Sequence, residues 1–289
     1  MLDGLVPVLV STLLLGSMYS LLTAGMSLIW STLQVFNYAH GAMLIIGGYL
    51  IWTLSSTAGL PLPLAVLLAT VAMAGLGALV ELVVVRPLAS RPDGTLMVMV
   101  ATLALAGLAE GAVQLIWGPE NKQVQPVTTA TFDIAGVAVR WTTVLAFLLA
   151  VGLVGGLMLV VNRTEWGASI RAVAQNRDMA MLLGIKPGRV YLSVFAASAA
   201  LATVGALVFA TTTTLTPAKG SGPLLIAFVV LVFGGTASLM GTLVGAYAIG
   251  FIEASTSYWI GLQWSPVAVF VLLVVVMLVR PEGLVRRGS

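Results

Sequence analysis

Asn162 to Val190, NRTEWGASIRAVAQNRDMAMLLGIKPGRV, is an island of charge in a chain made almost entirely of hydrocarbon. It holds Arg163, Glu165, Arg171, Arg177, Asp178, Lys186 and Arg189, whereas only 8% of the 289 residues are charged and 60% are apolar. Ordinary soluble domains carry about 25% charged residues, so this chain has too little polar surface to face water. The composition predicts an all-α, polytopic transmembrane helix bundle forming a single domain over residues 1–289, and the island is a loop at one membrane face.

Working outward, a spanning helix needs about 20 apolar residues. Leu5 to Trp30, Pro63 to Val85, Leu96 to Trp117, Thr142 to Val161 and Tyr191 to Thr213 meet that length, and Ser265 to Val279 closes the set. Ala42 to Leu54 is short, and Leu224 to Leu262 is too long for one helix and is interrupted by the glycine-rich stretch Phe233 to Gly241. The count is eight or nine crossings, according to how that broken segment is placed. No basic leader with a small-residue cleavage site precedes the first span, which is expected to stay in place. Ten of the thirteen Lys and Arg fall at Arg86, Arg91, Arg163 to Arg189 and the tail, against Lys122, Arg140 and Lys219 on the other side. The positive-inside rule then puts the N-terminus outside, the C-terminus in the cytoplasm and residues 119–141 in the largest external loop.

Several functions are excluded by what the sequence lacks. Without cysteine there is no disulfide framework or thiolate site. A net charge of +3 confined to loops beside spans fits membrane orientation, and not nucleic-acid binding. No GxxxxGK[ST] loop, no HExxH pair and only one histidine are present, so the chain is expected to be no enzyme and to hold no metal or cofactor of its own.

The island divides into two short helical pieces, about Glu165 to Ala174, with Ile170, Val173 and Ala174 on one stripe, and Met179 to Leu183. Asp178 is the expected N-cap and Gly184 the left-handed stop, after which Lys186, Pro187 and Gly188 turn the chain back to the membrane. The apolar row Met179, Met181, Leu182 and Leu183 beside charge suits docking in a groove of another protein. An amphipathic connector resting on the membrane surface is the other reading.

Four segments carry a resemblance to a known family: Val35-Phe36-Asn37-Tyr38-Ala39-His40-Gly41; Arg171-Ala172-Val173-Ala174-Gln175-Asn176 continuing to Leu182-Leu183-Gly184-Ile185; Phe233-Gly234-Gly235 with Gly241-Thr242-Leu243-Val244-Gly245-Ala246; and Arg280-Pro281-Glu282-Gly283-Leu284. Together the sequence resembles the permease subunits of ABC importers for branched-chain amino acids, of the LivH type. The resemblance implies that residues 163–189 couple the permease to an ATP-binding subunit, through Arg171, Ala174, Asn176, Asp178, Leu182, Leu183 and Gly184. It also implies two ATP-binding subunits that hold the ATP and magnesium, a second permease (LivM-like or a copy of this chain) and an extracytoplasmic solute-binding protein. The setting implied is the bacterial inner membrane with its lipid.

Within the spans, Asn37 and His40 are pathway candidates that either bond across helices or serve as a satisfied cap and turn. Gly234 and Gly235 belong to a backbone break of the kind tolerated at membrane depth only against protein or a water-filled cavity; helix packing through Gly241 and Gly245 is the alternative. Glu81 lies near an inner helix end. Glu110 and Glu253 lie deeper, where a charge costs about 2.5 to 3.5 kcal/mol at a helix centre, so they are expected to face the bundle interior, a pore or each other. They either serve the pathway or tie helices as neutral, hydrogen-bonded acids. A coupling proton on one of them would make the chain an ion-coupled secondary transporter of small amino acids or amides, the competing function.

Overall fold

Helices account for nearly all of the regular structure. The computed structural model describes residues 4–134, 136–236 and 238–279, so the motif from Arg280 to Leu284 lies outside the described residues. In order, the chain forms α1 (Leu5–Leu33), α2 (Ala39–Trp52) ending in a π-helical turn (Thr53–Thr57), α3 (Leu62–Val80) running through a second π-helical turn (Glu81–Val85) into α4 (Arg86–Ala89), and α5 (Gly94–Trp117). A short antiparallel hairpin, β1 (Thr131–Ile134) and β2 (Val137–Arg140), leads into α6 (Trp141–Arg163), followed by α7 (Glu165–Gln175), α8 (Arg177–Leu182) and α9 (Pro187–Thr212). Then come α10 (Ser221–Gly234), preceded by a 3-10 turn at Pro217–Gly220, and α11 (Leu239–Trp259), and α12 (Ser265–Val279) is the last of the described elements. Eight of the described helices are long and apolar enough to cross a membrane. The chain is a multi-pass membrane protein.

Two departures from the sequence reading stand out. Residues 119–141, expected to be only a loop, contain the hairpin, with Thr131 paired to Arg140 and Ile134 to Val137. It lies at the end of the bundle opposite α7 and α8. There the loop is tied down by a two-way backbone bridge between Lys122 and Leu215, with N to O distances of 3.1 and 2.7 Å. The second departure is where α2 begins; with its π-helical turn it runs from Ala39 to Thr57, longer than the short stretch read from the sequence, and it is not among the eight. Gln34, at φ +54°, reverses the chain at the end of α1. Residues 35–37 then lead back without regular structure, so that α2 starts beside Leu22 and Ser198, near the middle of α1 and α9. α2 thus begins inside the bundle, against α1 and α9, and not at its edge.

α1 and α9 form the middle of the bundle, with α2, α3, α10 and α11 packed around them. Their contact faces are rich in small polar residues: Ser17, Ser20, Thr23, Ser27, Ser198 and Thr203 are all buried. Such side chains let backbones approach and bond back to their own helix, as Thr203 Oγ1 does to the Ala199 carbonyl at 2.8 Å. Gly77 of α3 is the clearest close approach. A Cβ there would meet the Phe195 carbonyl oxygen of α9 at 2.5 Å, so only glycine lets the two backbones sit this close. The faces of α5, α6 and α12 remain largely uncovered.

Candidate functional site

The island folds as a capped knob. Thr164 leaves α6 in an extended conformation, and its Oγ1 accepts from Gly167 N at 3.2 Å to start α7. One face of α7 buries Gly167, Ile170 and Val173. Trp166 Nε1 donates to Ser193 Oγ of α9 at 2.7 Å, and Arg171 donates to the Val161 carbonyl. The knob is thereby fastened to α6 and α9 as one piece. Ala174 is half-buried beside this face.

The cap between the two knob helices is Asn176, and the expectation for Asp178 is corrected. Asn176 Oδ1 accepts from both Asp178 N and Met179 N at 3.0 Å, while Asp178 sits in the first turn of α8, where its carboxylate faces the positive end of the helix dipole. Asparagine wins because the chain is extended at 176, the geometry an N-cap requires. Gly184, at φ +83°, closes α8 as expected, with Gly184 N donating to Met181 O and Ile185 N to Ala180 O, both at 3.0 Å. That pair of bonds is a Schellman motif. α8 buries only Ala180 and leaves Met179, Leu182 and Leu183 at 60, 81 and 78% exposure. On a helix only six residues long, such exposure presents an apolar tip held in a fixed orientation from both ends.

A second region lies at the start of α2. His40 is fully buried, with Nε2 donating to the Leu22 carbonyl at 2.9 Å and Nδ1 paired with Ser198 Oγ at 3.2 Å. Asn37 Oδ1 accepts from Ala39 N at 3.1 Å, and its buried Nδ2 has no partner among the described residues. Both side chains thus brace the start of α2. Their neighbours Tyr38 and Gly41 turn the other way, onto a cavity of about 390 Å³ bounded by α2, α5 and the start of α10. Ile45, Leu103 and Leu224 supply apolar wall, and Glu110 is the carboxylate on it.

Glu110 and Glu253 do not meet, and of the surroundings expected for them, the bundle interior, a pore or each other, Glu110 takes neither the first nor the last but stands on the wall of this cavity. It is exposed on α5, because α5 packs only one edge against α2 and leaves the rest uncovered. Glu253 is half-buried on α11 and accepts from the Tyr19 hydroxyl at 2.8 Å. Tyr19, on α1, is a partner outside the acid and base pairs weighed in the sequence. Gly234 and Gly235 lie apart from the cavity. Gly234 packs on the backbone of Gly241, and Gly235, at φ +98°, makes the turn from α10 into α11.

Sequence reasoning also missed the partner of Glu81. This carboxylate is fully buried and receives Arg86 through two bonds, Nε to Oε1 at 3.1 Å and Nη2 to Oε2 at 2.8 Å. The signal was present as a Glu and an Arg five apart, a spacing that faces together in the π-helical turn but not in an ordinary helix.

Residues 8–279 match the family model described as branched-chain amino acid transport system / permease component. The chain is similar to the high-affinity branched-chain amino acid transport system permease protein BraD of Pseudomonas aeruginosa, at 29% identity over 96% of this chain and 95% of the relative. It is similar to the corresponding LivH of Escherichia coli at 26% identity, over 94% and 92% of the two chains. A fructose import permease protein, FruF of Bifidobacterium longum, is 26% identical over 95% of this chain and 77% of its own length. No solved structure matches the chain.

Proposed function

This chain belongs to the family of branched-chain amino acid transport system permease components, and from that premise we propose that it forms half of the transmembrane path of a binding-protein-dependent ABC importer for branched-chain amino acids. The family is a non-catalytic membrane component that works with ATPase and binding-protein partners. The observation that carries the reading for this chain is the apolar tip of α8, held out from the bundle by an asparagine cap and a Schellman turn.

In this reading an ATP-binding subunit seats on α7 and α8, with Leu182 and Leu183 entering its groove and Arg171, Asn176, Asp178 and Gly184 fixing the shape of the tip. Two such subunits serve the complete transporter and hold the ATP and magnesium. The knob is cytoplasmic, which follows from the distribution of Lys and Arg, and the C-terminus shares that side while the N-terminus and hairpin lie outside. The solute receptor docks at the hairpin end, on residues 119–141 and 214–223. A second permease, LivM-like or a copy of this chain, covers the open wall that carries Glu110, so that the cavity beside α2 becomes part of the path. Its apolar wall suits a hydrocarbon side chain, and Glu110 suits the ammonium group of an amino acid. Asn37, His40, Gly234, Gly235 and Glu253 then shape the path from behind by fixing α2, the turn from α10 to α11, and the packing of α1 on α11.

The test is uptake of labelled leucine into vesicles containing the permease pair and ATP-binding subunits, with receptor and ATP supplied. Accumulation is expected only when ATP and receptor are both present, on opposite sides of the membrane. Accumulation by this chain alone under a proton gradient, without ATP, would overturn the proposal in favour of an ion-coupled carrier. Glu110→Gln is expected to lower the uptake rate several-fold with receptor affinity unchanged, and an unaltered rate would remove Glu110 from the path.

A further inference from the structure

The inner end of α3 is joined to the exit of the knob by a single arginine. Arg86 Nη2, already bonded to Glu81, also donates to the Gly188 carbonyl at 2.8 Å. Gly188 is the second residue of α9, directly after the turn that ends the knob. A guanidinium that fills both oxygens of a buried carboxylate is held in one plane, so its remaining donor direction is fixed as well. Glu81 is fully buried whereas the Arg86 side chain is 41% exposed. The carboxylate is therefore the anchor and the arginine the arm.

The local winding makes this possible. In an α-helix, residues five apart point about 140° away from each other at 3.6 residues per turn. The π-helical turn over Glu81–Val85 adds a residue to the turn and stacks Glu81 under Arg86. One turn before Glu81, on the same face of α3, Gly77 lies against the Phe195 carbonyl of α9. α3 and α9 are thus attached at two levels: a close backbone contact inside the bundle and a charged clamp at the knob end. Two rods joined at one point pivot, and joined at two they move as one.

We infer that Glu81 and Arg86 are positioning residues that lock α3 to α9, so that displacement of the knob swings the pair together as one lever. The inference rests on the proposed seating of an ATP-binding subunit on the knob. Neutralising a buried charge explains the Glu81–Arg86 pair alone, but it does not require the third bond, to Gly188. Arg86→Lys separates the two roles, because it keeps the charge and removes the fork.

The test uses the assembled transporter in vesicles, with ATP hydrolysis and leucine uptake measured together. Arg86→Lys and Glu81→Gln are expected to keep receptor-stimulated hydrolysis within about twofold of the parent while uptake per ATP falls at least tenfold. Wild-type uptake per ATP in Arg86→Lys would overturn the inference. A second measurement reads the clamp without any partner. The chain has no cysteine, so spin labels are placed on cysteines introduced at Val83 and Arg189 of the full chain in lipid nanodiscs. One narrow distance distribution is expected with Arg86 in place and a broadened one in Arg86→Lys; equal widths would overturn the lever. If the parent chain gives no receptor-stimulated hydrolysis with its ATP-binding subunits, the docking reading fails, while the label distances still decide whether α3 and α9 are locked.

Discussion

α9 and α6 are both long apolar helices, yet 61% of the most apolar stretch of α9 is buried inside the chain and only 17% of that of α6. The difference runs against the rule for soluble proteins, in which the most apolar segment goes deepest. α6 and α12 are the more hydrocarbon-rich spans and stay outermost, while α9, with Ser198, Thr203 and Gly205, and α1, with Ser17, Ser20, Thr23 and Ser27, take the centre. Lipid offers leucine and valine as good an environment as protein does, so apolarity gives no drive inward. Small side chains that permit close backbone contact, and polar ones that need partners, decide the order instead.

Four measurements break or sharpen this contrast. The largest effect is expected from Gly77→Leu, which forces side-chain volume against the Phe195 carbonyl and is expected to destabilise the chain by about 3 kcal/mol. Leu108→Ala, on the uncovered face of α5, is expected to stay within about 0.5 kcal/mol. Equal unfolding temperatures in detergent would end the distinction between centre and rim. His40→Ala comes next, at about 2 kcal/mol, because it removes two buried bonds and leaves the Ser198 hydroxyl and Leu22 carbonyl to find others. The same unfolding assay checks it.

Leu183→Asp carries the comparison to the knob, where exposure serves contact and not lipid. Uptake is expected to fall at least tenfold, about 1.4 kcal/mol in coupling, with unchanged unfolding temperature. A drop in stability in place of uptake would show that Leu183 packs within the chain. The smallest effect belongs to Lys122→Ala at the hairpin end. The Lys122 ammonium, bonded at 2.9 Å, holds the exposed Glu120 carboxyl below its usual range. A lowered value in the folded chain means that any stabilisation is present above the free carboxylate range and lost as pH falls through the folded one. The Glu120 end of the pair is open to solvent at 78% exposure, so parent and variant unfolding temperatures are expected to coincide from neutral to acid pH. A clear gap at neutral pH would give this corner a larger part in holding the hairpin end.

The spans were legible because apolar run length is a direct consequence of bilayer thickness, and α12 starts at Ser265, the bound read from the sequence. Gly184 was legible as well, since a left-handed stop leaves few alternatives to glycine. The cap at Asn176 was not, because Asn176 and Asp178 are both good caps and only the extended backbone at 176 decides between them. Glu110 and Glu253 show the same limit at longer range: a carboxylate in a span announces a special environment without saying which helix supplies it. The bond from Tyr19 to Glu253 joins residues 234 apart, and no local periodicity encodes that pairing. The Glu81–Arg86 clamp was hidden differently, by a change of winding that shifts which residues share a face.

The buried start of α2 has a consequence for biogenesis. Its first turn leans on Ser198 and Gly220, and a ribosome delivers these more than 150 residues after His40 has left the tunnel. Until then the histidine has only its Leu22 partner and the asparagine only its local bond to Ala39, so the seat of this segment is complete only after the second half of the polypeptide has entered the bilayer.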